Sequence, residues 1–329
     1  MPKNQVSRRH HYIPEFYTKR WADKRGQLTR FHKPNSRSNL VVADAVYPKQ
    51  TGWQDKLYAL QQVPDDLSDH YEKTFFRPVD TQASSVLEKM ERGCREYTVN
   101  ERVAWARFVL SMVFRNPERI EAAKKRLSYD ITVTSKKSER RYRSQWQPGQ
   151  PPTLRKAMIG MRDSGELQRL VLQTLTSTSN SEIIVPRLAN LKWGRIDFDL
   201  SVPPLLTSDR PLIWERPLDD PHCMILMPTG PKSAFYACRN ENDLRVIDIK
   251  RGRDWLANYM NDAVVRMAQK YVYAVGKDQL SNVQNLMGVN PPMMIPDLFG
   301  LPGERRAVAK LSKRAVNLKL PTAMRRPGD

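Results

Sequence analysis

An α+β fold, with a helical middle packed against a largely antiparallel sheet, is what the order of patterns in this 329-residue chain predicts. Apolar residues recur at helical spacing through the middle of the chain. From Ile183 onward, short runs rich in β-formers replace them. Strand runs and helix runs are segregated rather than alternating, which is the pattern of α+β rather than of a parallel βαβ sheet. One domain over residues 1–275 is expected, with a basic loop near 134–152 and an irregular, Pro-rich basic tail over 276–329.

In chain order, residues 1–9 read as a basic arm. Pro14 suits a first helical turn, and PEFYTKRWA places Tyr17 and Trp21 on one face, with Gly26 as the terminator. QLTRFHK and the valine-rich NLVVADAVY are strands. Residues 48–66 read as loop, with LYAL a short element. A helical stripe follows from Leu67 through Tyr71, Phe75, Val79, Ala83 and Leu87 to Met90. Pro78 should kink or split it. Asn100 is the expected cap of ERVAWARFVLSMVF, and Asn116-Pro117-Glu118 is a helix restart: cap, Pro at the first position, acid in the first turn. TLRKAMIGMRDSGELQRLVLQTLTS is again helical. LKWGRIDFDL, LLTSDRPLIW, CMILMP, SAFYAC and LRVIDI read as strands, and RDWLANYMNDAVVRMAQKYVYAVG as a last helix and strand. NPPMMIPDLFGLPG then argues against regular structure.

Charge is the strongest global signal. There are 55 Lys and Arg against 35 Asp and Glu, a formal +20. Residues 1–50 hold 11 basic and 3 acidic side chains, 119–162 hold 12 and 3, and 276–329 hold 9 and 4. Such flanks suit nucleic acid or another phosphate-bearing ligand, and equally a set of solvated loops. Three cysteines with no CxxC pair exclude a disulfide framework or zinc ribbon and fit a reducing compartment. There is no secretory h-region, and AWARFVLSMVF is too short to span a bilayer, so a cytoplasmic protein with no membrane partner is expected. Gly-rich phosphate loops, GxSxG, HExxH and recognised nucleic-acid motifs are absent.

Chemistry is expected in three places. In RRHHYIPEFY, His10 and His11 precede a helix start, where the helix field favours neutral imidazole as base or ligand; Arg8 and Arg9 add anion donors. The alternative is a turn fixed by backbone bonds from the histidines. In LLTSDRPLIW, Thr207, Ser208 and Asp209 end an apolar strand. Asp209 could ligate a metal, act as base or hold a histidine tautomer; the alternative is an Asx or Ser/Thr turn. Glu72 and Asp80, eight apart, can share a helix face if Pro78 permits, and Arg115 sits at the break before Pro117.

Together, His10-His11-Tyr12-Ile13-Pro14-Glu15-Phe16-Tyr17 with Arg20, then Gly26-x-Leu28-x-x-Phe31-x-Lys33, Phe114-Arg115-Asn116-Pro117, Thr207-Ser208-Asp209-Arg210-Pro211, and Asn261 with AQKYVYA resemble the bacterial domain-of-unknown-function family 4238 over about residues 8–275. Glu72 and Asp80 resemble a spaced acidic pair of that family, with Asp at the second position in place of Glu. The resemblance implies a fold and a pocket shared by the histidine and Thr-Ser-Asp motifs, but no reaction. Three readings stay open. The first is a nucleic-acid-processing hydrolase with His10 or His11 as base or ligand, Asp209 and Glu72 orienting a histidine or holding a divalent metal, and Arg20, Arg115, Ser208 and Asn261 on the phosphate. The second is a non-catalytic nucleic-acid or phosphate-ligand binder, and the third a structural protein.

Overall fold

The computed structural model describes residues 9–35, 39–132 and 136–289. The N-terminal region holds β1 (Arg9–His11), α1 (Glu15–Thr18) with a 3-10 turn (Lys19–Trp21), β2 (Leu28–His32), β3 (Val42–Val46) and β4 (Trp53–Asp55). The helical middle is α2 (Asp65–Ser68), a π-turn (Glu72–Phe76), α3 (Arg77–Glu91), α4 (Val99–Phe114), α5 (Pro117–Thr132), α6 (Lys136–Ser144), α7 (Leu154–Asp163), α8 (Glu166–Ser179) and α9 (Ile184–Ala189). Then come β5 (Lys192–Asp197), β6 (Thr207–Ser208), β7 (Ile213–Glu215), β8 (Met224–Gly230), β9 (Ser233–Cys238), α10 (Glu241–Met267), β10 (Val272–Ala274) and α11 (Leu280–Leu286). The fold is α+β, and every strand pair among the described residues is antiparallel.

Among the described residues three sheets form: β1-β4, β3-β2-β10-β6 and β5-β9-β8-β7. The last of these divides the interior. Strand side chains alternate between faces, so Ile225, Met227, Phe235 and Ala237 enter one core with α3, α4, α8 and α9. Met224, Leu226, Ala234 and Cys238 enter a second core with α10, α11 and β10. A sheet covered on both faces explains why CMILMP reads as an unbroken apolar run rather than an alternation.

The N-terminal helix is stapled to the strand-rich region by polar atoms. The Tyr17 hydroxyl donates to the Pro228 carbonyl at 2.7 Å and accepts from Thr207 Oγ1 at 2.6 Å. Trp21 Nε1 donates to the Leu205 carbonyl at 2.7 Å. All three side chains are buried.

Pro78 does split the long stripe, and the break is a π-turn over Glu72–Phe76. A proline ring clashes with the carbonyl four residues before it and supplies no N–H; widening the preceding turn relieves both. Leu67, at the head of that stripe, is exposed.

Other expectations are corrected. Helix α4 is capped by Thr98, not Asn100: Thr98 Oγ1 accepts from the Glu101 amide while Glu101 reaches back to the Thr98 amide. LRVIDI is not a strand but lies in α10, which Asn240 caps and Gly252 interrupts at φ 80°. Its Leu244 and Ile247 are also three apart, so six residues fit both periods. The basic stretch over 134–152 is helical from Lys136 to Ser144, since Lys, Arg and Glu are good helix formers and Glu139 pairs with Arg143 one turn on. The start of the expected irregular tail forms α11, with Val283 and Met287 in the second core. Residues 290–329 of that tail, and Arg8 of the basic arm, lie outside the described residues.

Replacing Tyr17 by Phe leaves the Pro228 carbonyl and the Thr207 hydroxyl without their buried partner. Stability in chemical denaturation should fall by about 1–3 kcal/mol with the denaturant slope unchanged.

Candidate functional site

Strand β1 is short, and what fixes it is a close backbone approach. His10 pairs with Gln54 and His11 with Trp53. The Tyr12 and Ile13 amides both donate to the Gly52 carbonyl, at 2.8 and 3.0 Å. Gly52 has φ 66°, and a Cβ there would lie 3.0 Å from Ile13 Cβ, so only glycine fits. Three residues with no period of their own left β4 invisible in the sequence.

The two histidines point apart. His10 is fully buried and stacks on the Tyr58 ring, with centroids 5.4 Å apart. Its Nδ1 accepts from the Tyr58 amide at 2.8 Å, which puts the proton on Nε2, 3.3 Å from the buried Asp69 carboxylate. His10 thus holds the 58–69 segment against β1, as the turn-fixing alternative anticipated.

His11 lies on the other side. Its carbonyl accepts from Arg115 Nη2 at 3.0 Å. Arg115, 1% exposed at the end of α4, also makes a two-pronged contact with Asp80 of α3, Nη1–Oδ1 at 2.7 Å and Nη2–Oδ2 at 2.9 Å. Its guanidinium lies over the Phe76 ring, and its carbonyl accepts from the Tyr58 hydroxyl. Burial opposes the Arg115 charge, but Asp80 outweighs it and holds the group firmly protonated. This arginine is already neutralised, so it organises the cluster rather than offering a free charge to phosphate.

Glu72, on the π-turn, feels the same Arg115–Asp80 pair. Burial raises its carboxyl above the ordinary 4.5, with Arg115 opposing and Asp80 adding. Burial lowers the His11 imidazole below its ordinary 6.5; Glu15 opposes this and Arg115 reinforces it. Glu72 Oε2 and His11 Nε2 are both buried and have no hydrogen-bond partner among the described residues. One ion pair is therefore flanked by a depressed base and an elevated acid, each with an unused atom. Perturbed titratable groups of this kind mark functional sites.

The Thr-Ser-Asp motif does meet the N-terminal motif, but through Tyr17 and Thr207. Asp209 is 1% exposed and accepts from the amides of Gln269 (3.0 Å) and Lys270 (2.8 Å). Burial lifts its carboxyl to about 6 against those two hydrogen bonds. Asp209 acts instead on Tyr12, whose hydroxyl is held neutral by burial first and then by Tyr273 and Asp209. Ser208 Oγ accepts from the Arg210 amide at 3.1 Å, a Ser/Thr turn. Asn261 is spent on backbone, accepting from the Leu206 amide and donating to the Pro204 carbonyl. Arg20 is half-buried in the 3-10 turn.

Two charged features were not anticipated. Lys136, Arg140, Arg143 and Arg155 line a groove with Glu139 and Thr153 between α6 and α7. Arg119 and Arg210 share a small cavity where the Asn116-Pro117 break meets β6. Arg210 stands inside the Thr-Ser-Asp-Arg-Pro motif, whereas Arg119, one residue past Asn116-Pro117-Glu118, lay outside the motifs noticed in the sequence. Among the described residues no three His, Cys, Asp or Glu side chains converge as a metal-ligand set, and no helix is long and apolar enough to cross a membrane.

A family described as "Protein of unknown function (DUF4238)" has a model that matches residues 9–278. No curated protein and no solved structure matches the chain.

Asp80→Ala strands the buried Arg115 charge and should cost about 3–5 kcal/mol in denaturation. For His11, a base whose pKa is lowered by folding, the unfolded chain binds more protons just below pH 6.5. Its contribution is thus present above 6.5 and lost as pH falls through that window. The stability difference between wild type and His11→Gln should shrink there, and a flat difference would remove the assignment of a depressed His11.

Proposed function

The chain belongs to the DUF4238 family, and from the cluster around Arg115 we propose that it is a hydrolase of phosphodiesters, with nucleic acid as its substrate class. The observation that carries this reading is the pair of buried, unpartnered atoms, His11 Nε2 and Glu72 Oε2, on the two sides of one ion pair. A neutral imidazole accepts a proton, and a carboxyl whose pKa is raised by burial holds its proton more tightly than an ordinary one and so can serve as the donor.

In the proposed step, His11 Nε2 takes a proton from water as the water oxygen bonds to phosphorus. The bond from phosphorus to the leaving oxygen breaks, and Glu72 protonates that oxygen. Arg115 holds the His11 carbonyl and Asp80, and so positions the base. The +20 charge and the groove of Lys136, Arg140, Arg143 and Arg155 support a polyanionic substrate. A divalent metal enters no step.

One observation favours a second reading, non-catalytic binding of nucleic acid. Asp209, Ser208 and Asn261 are all engaged with backbone, which leaves fewer polar groups for chemistry.

Labelled DNA and RNA incubated with purified protein, with and without Mg²⁺ or Mn²⁺, separate the two. The hydrolase reading expects cleavage that His11→Ala reduces by about 10²–10⁴-fold, with a comparable loss in Glu72→Gln. If wild type cleaves nothing, or His11→Ala cleaves at the wild-type rate, that reading fails. Salt-sensitive binding without cleavage would establish the second.

A further inference from the structure

We propose that the α6–α7 hairpin is a holding surface for single-stranded nucleic acid, with Lys136, Arg140, Arg143 and Arg155 on the phosphates and Trp146 stacked against a base. This deepens the reading proposed above and takes its ligand class, nucleic acid, from it. The surface itself shares no residue with the cluster around Arg115.

The groove is built by sequence spacing. Lys136, Arg140 and Arg143 stand at i, i+4 and i+7 of α6 and so share one face. Arg155, in the first turn of α7, lines the groove with them, and Thr153 caps that helix by accepting from the Lys156 amide at 3.2 Å. Glu139 is the acidic side chain in this lining, and it is spent on construction. One of its oxygens accepts from Arg143 Nε at 3.3 Å and the other from the Leu154 amide at 3.2 Å, which ties α6 to the start of α7. Lys136, Arg140 and Arg155 are exposed and form no ion pair among the described residues.

Two features choose the occupant. Every lining residue is charged or carries a hydroxyl, so nothing in the groove would enter a bilayer. Arginine predominates among its cations, and the planar guanidinium fork matches phosphate oxygens. The turn that joins the two helices then adds a ring. Trp146, three residues beyond Arg143, is 42% exposed, yet its indole N–H donates to the Gln150 and Pro151 carbonyls, both at 3.0 Å. The Tyr142 hydroxyl donates to the same Pro151 carbonyl at 2.6 Å. A ring held by its edge and open to solvent loses little freedom when a base stacks on it. Bases inside a duplex have their faces covered by their neighbours, whereas a single strand offers them. A basic groove that tracks the backbone, next to an aromatic platform, binds single strands with little regard to sequence.

Fluorescence anisotropy with the full chain tests this. The probes are a labelled single-stranded DNA of about 12 nucleotides, the same sequence as a duplex, a glutamate-rich peptide and phosphatidylserine vesicles. The single strand should bind most tightly. Arg140→Gln combined with Arg155→Gln should make the slope of log K against log salt shallower by about 1.4 for that strand. Trp146→Leu should weaken it by about 5- to 150-fold, and Trp146→Phe, which keeps a ring and loses the indole N–H, should bind it nearly as wild type does. The proposal is overturned if the duplex, the peptide or the vesicles bind as tightly as the single strand, or if the double variant keeps the wild-type slope. It is overturned equally if Trp146→Phe loses as much as Trp146→Leu, since Trp146 would then serve the turn alone. Binding is followed in wild type and in His11→Ala. Absence of cleavage with this binding intact overturns the hydrolase reading alone, and cleavage with an unchanged slope in the double variant overturns this surface alone.

Discussion

The ion pair of Arg115 with Asp80 is the joint on which the N-terminal half depends. It links the end of α4 to the first turn of α3, and the third donor hydrogen bond reaches the His11 carbonyl of β1. A buried pair of this kind is weak evidence of net stability, since desolvation offsets most of the attraction. What it does secure is arrangement. Remove either partner and a charge is left in the interior, so these three elements are held to one relative placement. Glu72 and His11 take their unusual proton affinities mainly from burial beside this pair, with Arg115 and Asp80 only adjusting them, so the joint that fixes the architecture also keeps the two candidate groups out of water.

Much of the fold was legible because its elements are long or strongly patterned. The α4 stripe, the β8 and β9 runs and the α5 restart at Asn116-Pro117 all stand where their local signals put them. The failures share a cause. A three-residue strand such as β4 has no period to read, and LRVIDI satisfies two periods at once. In both, long-range pairing or an adjoining helix decides the outcome, and neither is visible in a short window.

The site was half legible. Glu72, Asp80, Arg115 and His11 were each visible as candidates, and they do gather. The expected partnership of histidine with Asp209 is replaced by Tyr17 with Thr207 and by Tyr12 beside Asp209. Side-chain identity flagged the right motifs, but the atoms that face one another depend on which side of a three-residue strand each residue falls. Arg119 and Arg210 show the reverse case. Arg210 was an ordinary cation in the Thr-Ser-Asp-Arg-Pro motif and Arg119 belonged to no motif, and only burial and topology bring the two to one cavity.

The central place of β2 in its sheet bears on how the chain comes off the ribosome. Strand β2 pairs with β3, which follows closely, and with β10 at residues 272–274, the last strand among the described residues. The second face of the β5-β9-β8-β7 sheet likewise waits for α10. Until those segments emerge, an apolar sheet face and an open strand edge are exposed on a long nascent chain. Such non-local closure is slow, and an unpaired edge invites association. The molecule therefore depends on its own C-terminal third arriving before a foreign strand does, and premature termination upstream of 272 would release an aggregation-prone fragment rather than a smaller working domain.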